Sequence, residues 1–183
     1  MKIICISGTP GTGKTEVAKA LGKLLDANVI SVNSLIRSGK IRCTWDRRRK
    51  TKIVDVKNAE KAARKCMKPG VNIIDSHYSH MMKCDFLVVL RTNPVVLKRR
   101  LEKRKWSKSK VRENVLAEVL GEISIESAGK KNAIEIDTSG RNVKSAATII
   151  MSALNKHSRQ RKYRPIIDWT RKYMKILLKM GSV

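Results

Sequence analysis

No apolar run in the 183-residue sequence approaches the 18 or so residues that a membrane-spanning helix needs, so no membrane partner is expected. The first residues enter an apolar, strand-like segment at once, without the apolar h-region and cleavage site of a secretory leader. The expected compartment is therefore the cytoplasm, or the nucleus in a eukaryotic cell. The four cysteines, Cys5, Cys43, Cys66 and Cys84, form no CxxC pair, and reduced, structural thiols are expected. His77 and His80 do not make a metal site, because no cysteine or third ligand joins them at a recognised spacing. There is no N-K-x-D guanine-reading element, since "RTNP" at 91–94 lacks its lysine and acid, and this removes support for a signalling or translation-factor GTPase. No internal repeat is apparent. Negative charge is scarce beside positive: 15 Asp and Glu face 41 Lys and Arg, a net charge of +26 at pH 7 and a pI of about 10.5. Solubility alone does not require such an excess. Nucleotide phosphates would neutralise only a few of these charges, so RNA or an RNA-rich particle is the expected partner, with a generally basic proteome as the alternative.

What is present is enough for one core. The chain is 42% hydrophobic, long enough to bury a single sizeable core. Strand-like segments at Lys2–Ser7, Val29–Val32, "VNIID" (71–75), "CDFLVVL" (84–90) and "NAIEI" (132–136) alternate with helical patterns. Those patterns place Val17, Ala18, Leu21, Leu24 and Leu25 on one face, then Val111, Val115, Val119 and Ile123 on one long helix, then Val143, Ala146, Ala147, Ile150 and Leu154. Between the second and third strands, residues 40–52 are basic and lack a clean period. The pattern predicts an α/β, three-layer fold: a five-stranded parallel sheet with helices on both faces. The domain is expected to span 1–155. A basic extension, 156–183, has Ile166, Trp169, Tyr173, Ile176, Leu177 and Met180 on one face of a further helix, which either docks on the core or meets a partner or RNA.

The sharpest motif is "GTPGTGKT", a G-x-x-x-x-G-K-[ST] pattern at Gly8, Gly13, Lys14 and Thr15, placed between an apolar strand and a helix. Its glycines let backbone N–H groups turn inward on a β-phosphate at the positive end of the helix dipole. Lys14 is positioned to reach the β- and γ-phosphates, and Thr15 to ligate magnesium. Asp75 ends an apolar strand, as the magnesium-holding acid of a phosphate-loop protein does; otherwise it caps the next turn. His77, two residues on, could help order a water or a hydroxyl nucleophile, although a lone histidine is more often a surface group. Arg100 and Arg104, at i and i+4, share a helix face and can point at one anion, with residues 103–113 as a short lid between helices; a solvated basic face is the alternative. Arg37 sits where a monophosphate-binding helix is expected.

Taken together, "ISGTPGTGKT", "VNSLIR", "IIDSH", "DFLVVLRTNPVVLKRRLEKR" and the paired helices after it resemble the adenylate kinase isoenzyme six family. That group comprises small archaeal and eukaryotic-nuclear nucleoside monophosphate kinases with ATPase activity that act in late small-subunit ribosome assembly. The resemblance runs from about residue 2 to 154. It implies a P-loop, nucleoside-monophosphate-kinase-like fold, ATP on Gly11, Gly13, Lys14, Thr15 and Glu16, and a monophosphate-binding region at about 30–53 containing Arg37. It further implies a lid at 103–113 with Arg104 contacting ATP, magnesium on Thr15 and Asp75, and Asp75 with His77 as catalytic elements beside Lys14 and Arg104. Arg100 is expected on the substrate side. AMP is the implied acceptor, and the implied partners are the small-subunit platform protein uS11 and small-subunit rRNA. The chain departs from the family in two places: "CTWDRRRKTK" (43–52) replaces an acidic and aromatic stretch, and Arg104-Lys105-Trp106 replaces an Arg-Gly-aromatic turn. Two functions follow: an adenylate kinase with ATPase activity, ATP + AMP giving two ADP and open to a broad choice of monophosphate, or mainly a ribosome-assembly ATPase that uses water as the nucleophile.

Overall fold

The computed structural model of the chain describes residues 1–46, 51–156 and 165–173. Its elements run β1 (Lys2–Gly8), α1 (Lys14–Leu25), β2 (Asn28–Ser31), α2 (Val32–Arg37), β3 (Cys43–Asp46), β4 (Thr51–Val54), α3 (Val56–Lys65) and β5 (Val71–Asp75). A 3-10 turn (Ser79–Met81) follows, then β6 (Phe86–Arg91), α4 (Pro94–Lys103), α5 (Lys108–Leu120), α6 (Glu122–Glu126), β7 (Ala133–Asp137) and α7 (Val143–Lys156). Five strands form the parallel sheet expected, in the order β2-β5-β1-β6-β7.

The central strands β1 and β6 are apolar runs because helices cover both sheet faces. Strand alternation sorts their side chains. Ile4, Ile6, Val88 and Leu90 pack with α1 and α7, while Ile3, Cys5, Leu87 and Val89 pack with α2 and α3. Each fully buried Ile or Leu contributes about 1.5–3 kcal/mol relative to exposure, so these two strands anchor the sheet that carries the site. A third cluster, Leu97, Leu101, Val111, Val115 and Val119, joins α4 to α5.

Local expectations are corrected at several points along the chain, and the docked alternative for the extension is met in part. Residues 43–46 and 51–54, inside the stretch without a period, form an antiparallel hairpin in which Trp45 is exposed and Val54 is buried. The helix expected to run through Ile123 stops at Gly121, whose φ of +68° caps α5 and opens α6. Leu24 lies outward on α1, and Val143 is partly exposed at the start of α7. In the extension, Trp169 and Tyr173 do dock on the α4–α5 cluster, with Tyr173 buried. Ile166 is 78% exposed, and helix begins only at Thr170. The expected positions Ile176, Leu177 and Met180 lie outside the described residues, as does 157–164 of the linker.

Candidate active site

The end of β1 turns into the loop that precedes α1. Gly8 takes φ +147°, and a Cβ there would stand 2.4 Å from the Leu90 carbonyl oxygen, so only glycine lets β1 pass β6 this closely. Gly13 takes φ +93° as it caps α1, leaving the first N–H groups of the helix aimed outward. The Lys14 ammonium folds back onto this loop, donating to the carbonyls of Gly8 (2.7 Å) and Thr9 (3.1 Å). Burial pushes its pKa down to about 8, against the pull of Asp75 and Glu118.

Asp75 ends β5 and sits in register with Ile6 on one side and Ser31 on the other, which brings it level with the loop. Its Oδ2 accepts the Thr15 hydroxyl at 2.7 Å. Burial raises the Asp75 carboxyl above its ordinary range, opposed by that hydroxyl and by Lys14. A nearly buried carboxylate paired with one hydroxyl is a hard-oxygen donor set, and magnesium takes few protein ligands beside phosphate oxygens and water. Thr15 and Asp75 therefore fit magnesium.

On one side of the loop lies a cavity of about 210 Å³, bordered by Gly11, Gly13, Glu16, Arg100, Arg104 and the 138–143 turn. Val143 is half open because it borders this cavity. Arg104 is exposed at the C-terminal end of α4. Arg100 donates to the carbonyls of Gly11 (3.2 Å) and Thr138 (3.3 Å). It is thus held beside the loop with Arg104, whereas the sequence reading placed it on the substrate side with Arg37. Arg37 stands apart, exposed at the end of α2 and about 9 Å along that helix from Ser31 at the usual rise; its Nη2 is 3.4 Å from Ser34 Oγ. His77 is half-buried, its ring lies tilted by 42° against that of Tyr78 with centroids 3.6 Å apart, and its pKa is pushed down to about 3 by burial and by the nearby Lys14, His80 and Lys110 charges.

Three other side chains were missed. His80 is buried between Ser7 Oγ (2.9 Å) and Glu126 Oε2 (2.6 Å), with burial lowering its pKa against the pull of Glu126. Arg91 and Glu118 form a buried pair at 2.8 Å. A signal existed for the last two: a charge closes the wholly apolar run "FLVVLR", and an acid stands at 118 on the face marked by Val111, Val115 and Val119.

Residues 4–121 match a protein-family profile described as an AAA domain. A protein of Methanocaldococcus jannaschii named "Putative adenylate kinase" is 38% identical over 175 residues, covering 95% of this chain and 96% of the relative. The Pyrococcus furiosus protein of the same name is 33% identical over 184 residues, covering 98% and 99%. The chain belongs to this adenylate kinase-like family. In the adenylate kinase-like frame the fold is that of P-loop kinases. A shikimate kinase from Acinetobacter baumannii superposes with a TM-score of 0.64 at 15% identity, over 86% of this chain and 96% of the other.

Proposed function

We propose that the protein is a nucleoside monophosphate kinase that moves the γ-phosphoryl group of ATP to AMP, with ATPase activity when water replaces the acceptor. The observation that carries this reading is the Lys14–Thr15–Asp75 group, set between the cavity on the Arg104 side and α2 with its hairpin on the other. One side suits the donor nucleoside and the other an acceptor monophosphate near Arg37. An acceptor phosphate oxygen attacks the γ-phosphorus as the bond to the bridging β-oxygen breaks, and little acid–base chemistry is needed. Lys14 and Arg104 offset the charge that develops, Arg100 fixes the loop and the 138 turn around the donor, and Arg37 orients the acceptor. Magnesium held by Thr15 and Asp75 would supply further charge neutralisation on the phosphates. In hydrolysis the neutral His77 imidazole orders the water.

Product analysis tests this. Wild-type protein with MgATP and AMP is expected to yield ADP, and Lys14→Ala to abolish transfer with circular dichroism unchanged. Transfer surviving in pure Lys14→Ala protein would overturn the site assignment.

A second reading, that the protein works mainly as an ATPase on the maturing small ribosomal subunit with uS11 and its rRNA, is supported by charge. On α3, Lys57, Lys61 and Lys65 are exposed at four-residue spacing. None of them pairs with a carboxylate among the described residues, while Glu60 is taken by Arg64. Like charges at i, i+4 disfavour the isolated helix, and a polyanion would reverse that. The matching locations are the cytoplasm and, in a eukaryote, the nucleus.

A further inference from the structure

The Thr9 carbonyl is the junction of the phosphate loop: it accepts from the Thr12 amide (3.2 Å), the Thr12 hydroxyl (2.9 Å) and Lys14 Nζ (3.1 Å). The Thr9 side chain ties that junction to another element, its hydroxyl donating to Glu118 Oε2 at 2.5 Å. Glu118 cannot swing away. Its Oε1 accepts from Arg91 Nε (2.8 Å) and the Thr92 amide (2.9 Å), and its own carbonyl accepts from Arg91 Nη2 (2.7 Å). Arg91 is held in turn by Ser124 Oγ (2.7 Å), Glu135 Oε1 (2.9 Å) and the Ile167 carbonyl (3.2 Å). The second oxygen of Glu135 takes the amides of Ile166 and Ile167, each at 2.9 Å. The relay thus runs from the docked C-terminal segment to the loop that seats Lys14.

We propose that Glu118 is a positioning residue for phosphoryl transfer, holding the Gly8 and Thr9 carbonyls where Lys14 rests. An acid on an otherwise apolar helix face, 1% exposed, breaks the local pattern, and such breaks mark functional positions. Arg91 and Thr92 occupy one of its oxygens; the other is aimed at Thr9. The helix that carries Glu118 also begins in the lid, so lid and loop share one support. A displaced Lys14 misses the phosphate it must neutralise, and an error of about 1 Å costs on the order of a hundredfold in rate.

The proposal rests on the phosphoryl-transfer reading, and the full-length protein tests the two separately. Thr9→Val keeps shape and leaves the Arg91–Glu118 pair intact; kcat with MgATP and AMP is expected to fall by about tenfold or more with KM for AMP nearly unchanged, and the protein to stay folded at the assay temperature although the bared Glu118 oxygen lowers its melting temperature. Glu118→Gln, whose amide can meet both Thr9 and Arg91, is expected to keep most of kcat. In the double variant with Thr9→Val, Glu118→Ala is expected to add little to the loss in kcat, because both changes remove one link. Wild-type kcat in Thr9→Val would overturn the role of Glu118 even if Glu118→Ala fails to fold; where it folds, losses that simply add would overturn it too. Absence of any AMP-dependent turnover in the wild type would instead overturn the phosphoryl-transfer reading, and this role with it.

Discussion

His77 carries a neutral imidazole at ordinary pH, because burial and the neighbouring Lys14 charge hold its pKa down to about 3 from an unfolded value near 6.5. Between those values the unfolded chain binds a proton that the folded protein does not, so stability falls as pH drops from 6.5 toward 3 and is fully present above 6.5. Replacing the residue, His77→Gln, is expected to flatten the acid limb of urea-unfolding free energy over that window and leave stability near pH 7.5 little changed; an unaltered limb would contradict the assignment. In the same variant ATP hydrolysis is expected to fall more than ATP binding. Residues whose placement depends on near neighbours in sequence were legible: Lys14 and Thr15 on the loop that opens α1, and Asp75 at the strand end beside Thr15. Glu118 and Arg91 were not, because their meaning comes from a pairing 27 residues apart, and His80 shows no role in the sequence until Ser7 and Glu126 close around it. Arg100 shares a helix face with Arg104, but only the fold shows that its guanidinium is held by the Gly11 and Thr138 carbonyls.

At the scale of elements, the turn between α4 and α5, where a lid is expected, is made without a glycine. Lys105 adopts φ +57° between Arg104 and Trp106, a left-handed conformation that costs an L side chain roughly 1–2 kcal/mol. Lys105→Gly is therefore expected to be neutral or stabilising by up to about 1 kcal/mol in urea unfolding, and Lys105→Val to destabilise by about 1 kcal/mol or more. The reverse order would show that the turn is not shaped this way. Lys110 stacking over Trp106 at 4.6 Å and the capping of α5 by Ser107 fix the far side of the same turn. Strand periodicity made the five sheet strands readable to within a residue or two, since each is an apolar run bounded by polar residues. The β3–β4 hairpin escaped because its strands are only four residues each, CTWD and TKIV, and the sequence between them, 47–50, is wholly basic. The α5–α6 break escaped because a glycine within a helical pattern reads as tolerated until its positive φ is seen.

For the whole molecule, the sheet, the loop after its central strand and the adenylate kinase-like relatives agree on a nucleotide-handling enzyme, and the +26 charge is what the proposed ribosomal reading rests on. Binding to small-subunit rRNA is expected to weaken by on the order of a hundredfold or more from 50 to 200 mM salt if about five phosphates are contacted. Lys57→Glu/Lys61→Glu/Lys65→Glu is expected to reduce the salt slope by about 2–3 while leaving phosphoryl transfer intact. An interaction insensitive to salt would leave the charge without that partner. The fold class was legible because alternating apolar strands and amphipathic helices allow few other layers. How far the tail docks was not, because Trp169 and Tyr173 gain their meaning only against the Leu97–Val119 cluster. The central claim, that the site joins two nucleotides, is tested most directly by following the γ-phosphate of labelled MgATP with AMP present. The account predicts label in the β-position of ADP, dependent on AMP; label appearing only as inorganic phosphate, whatever the AMP concentration, would contradict it.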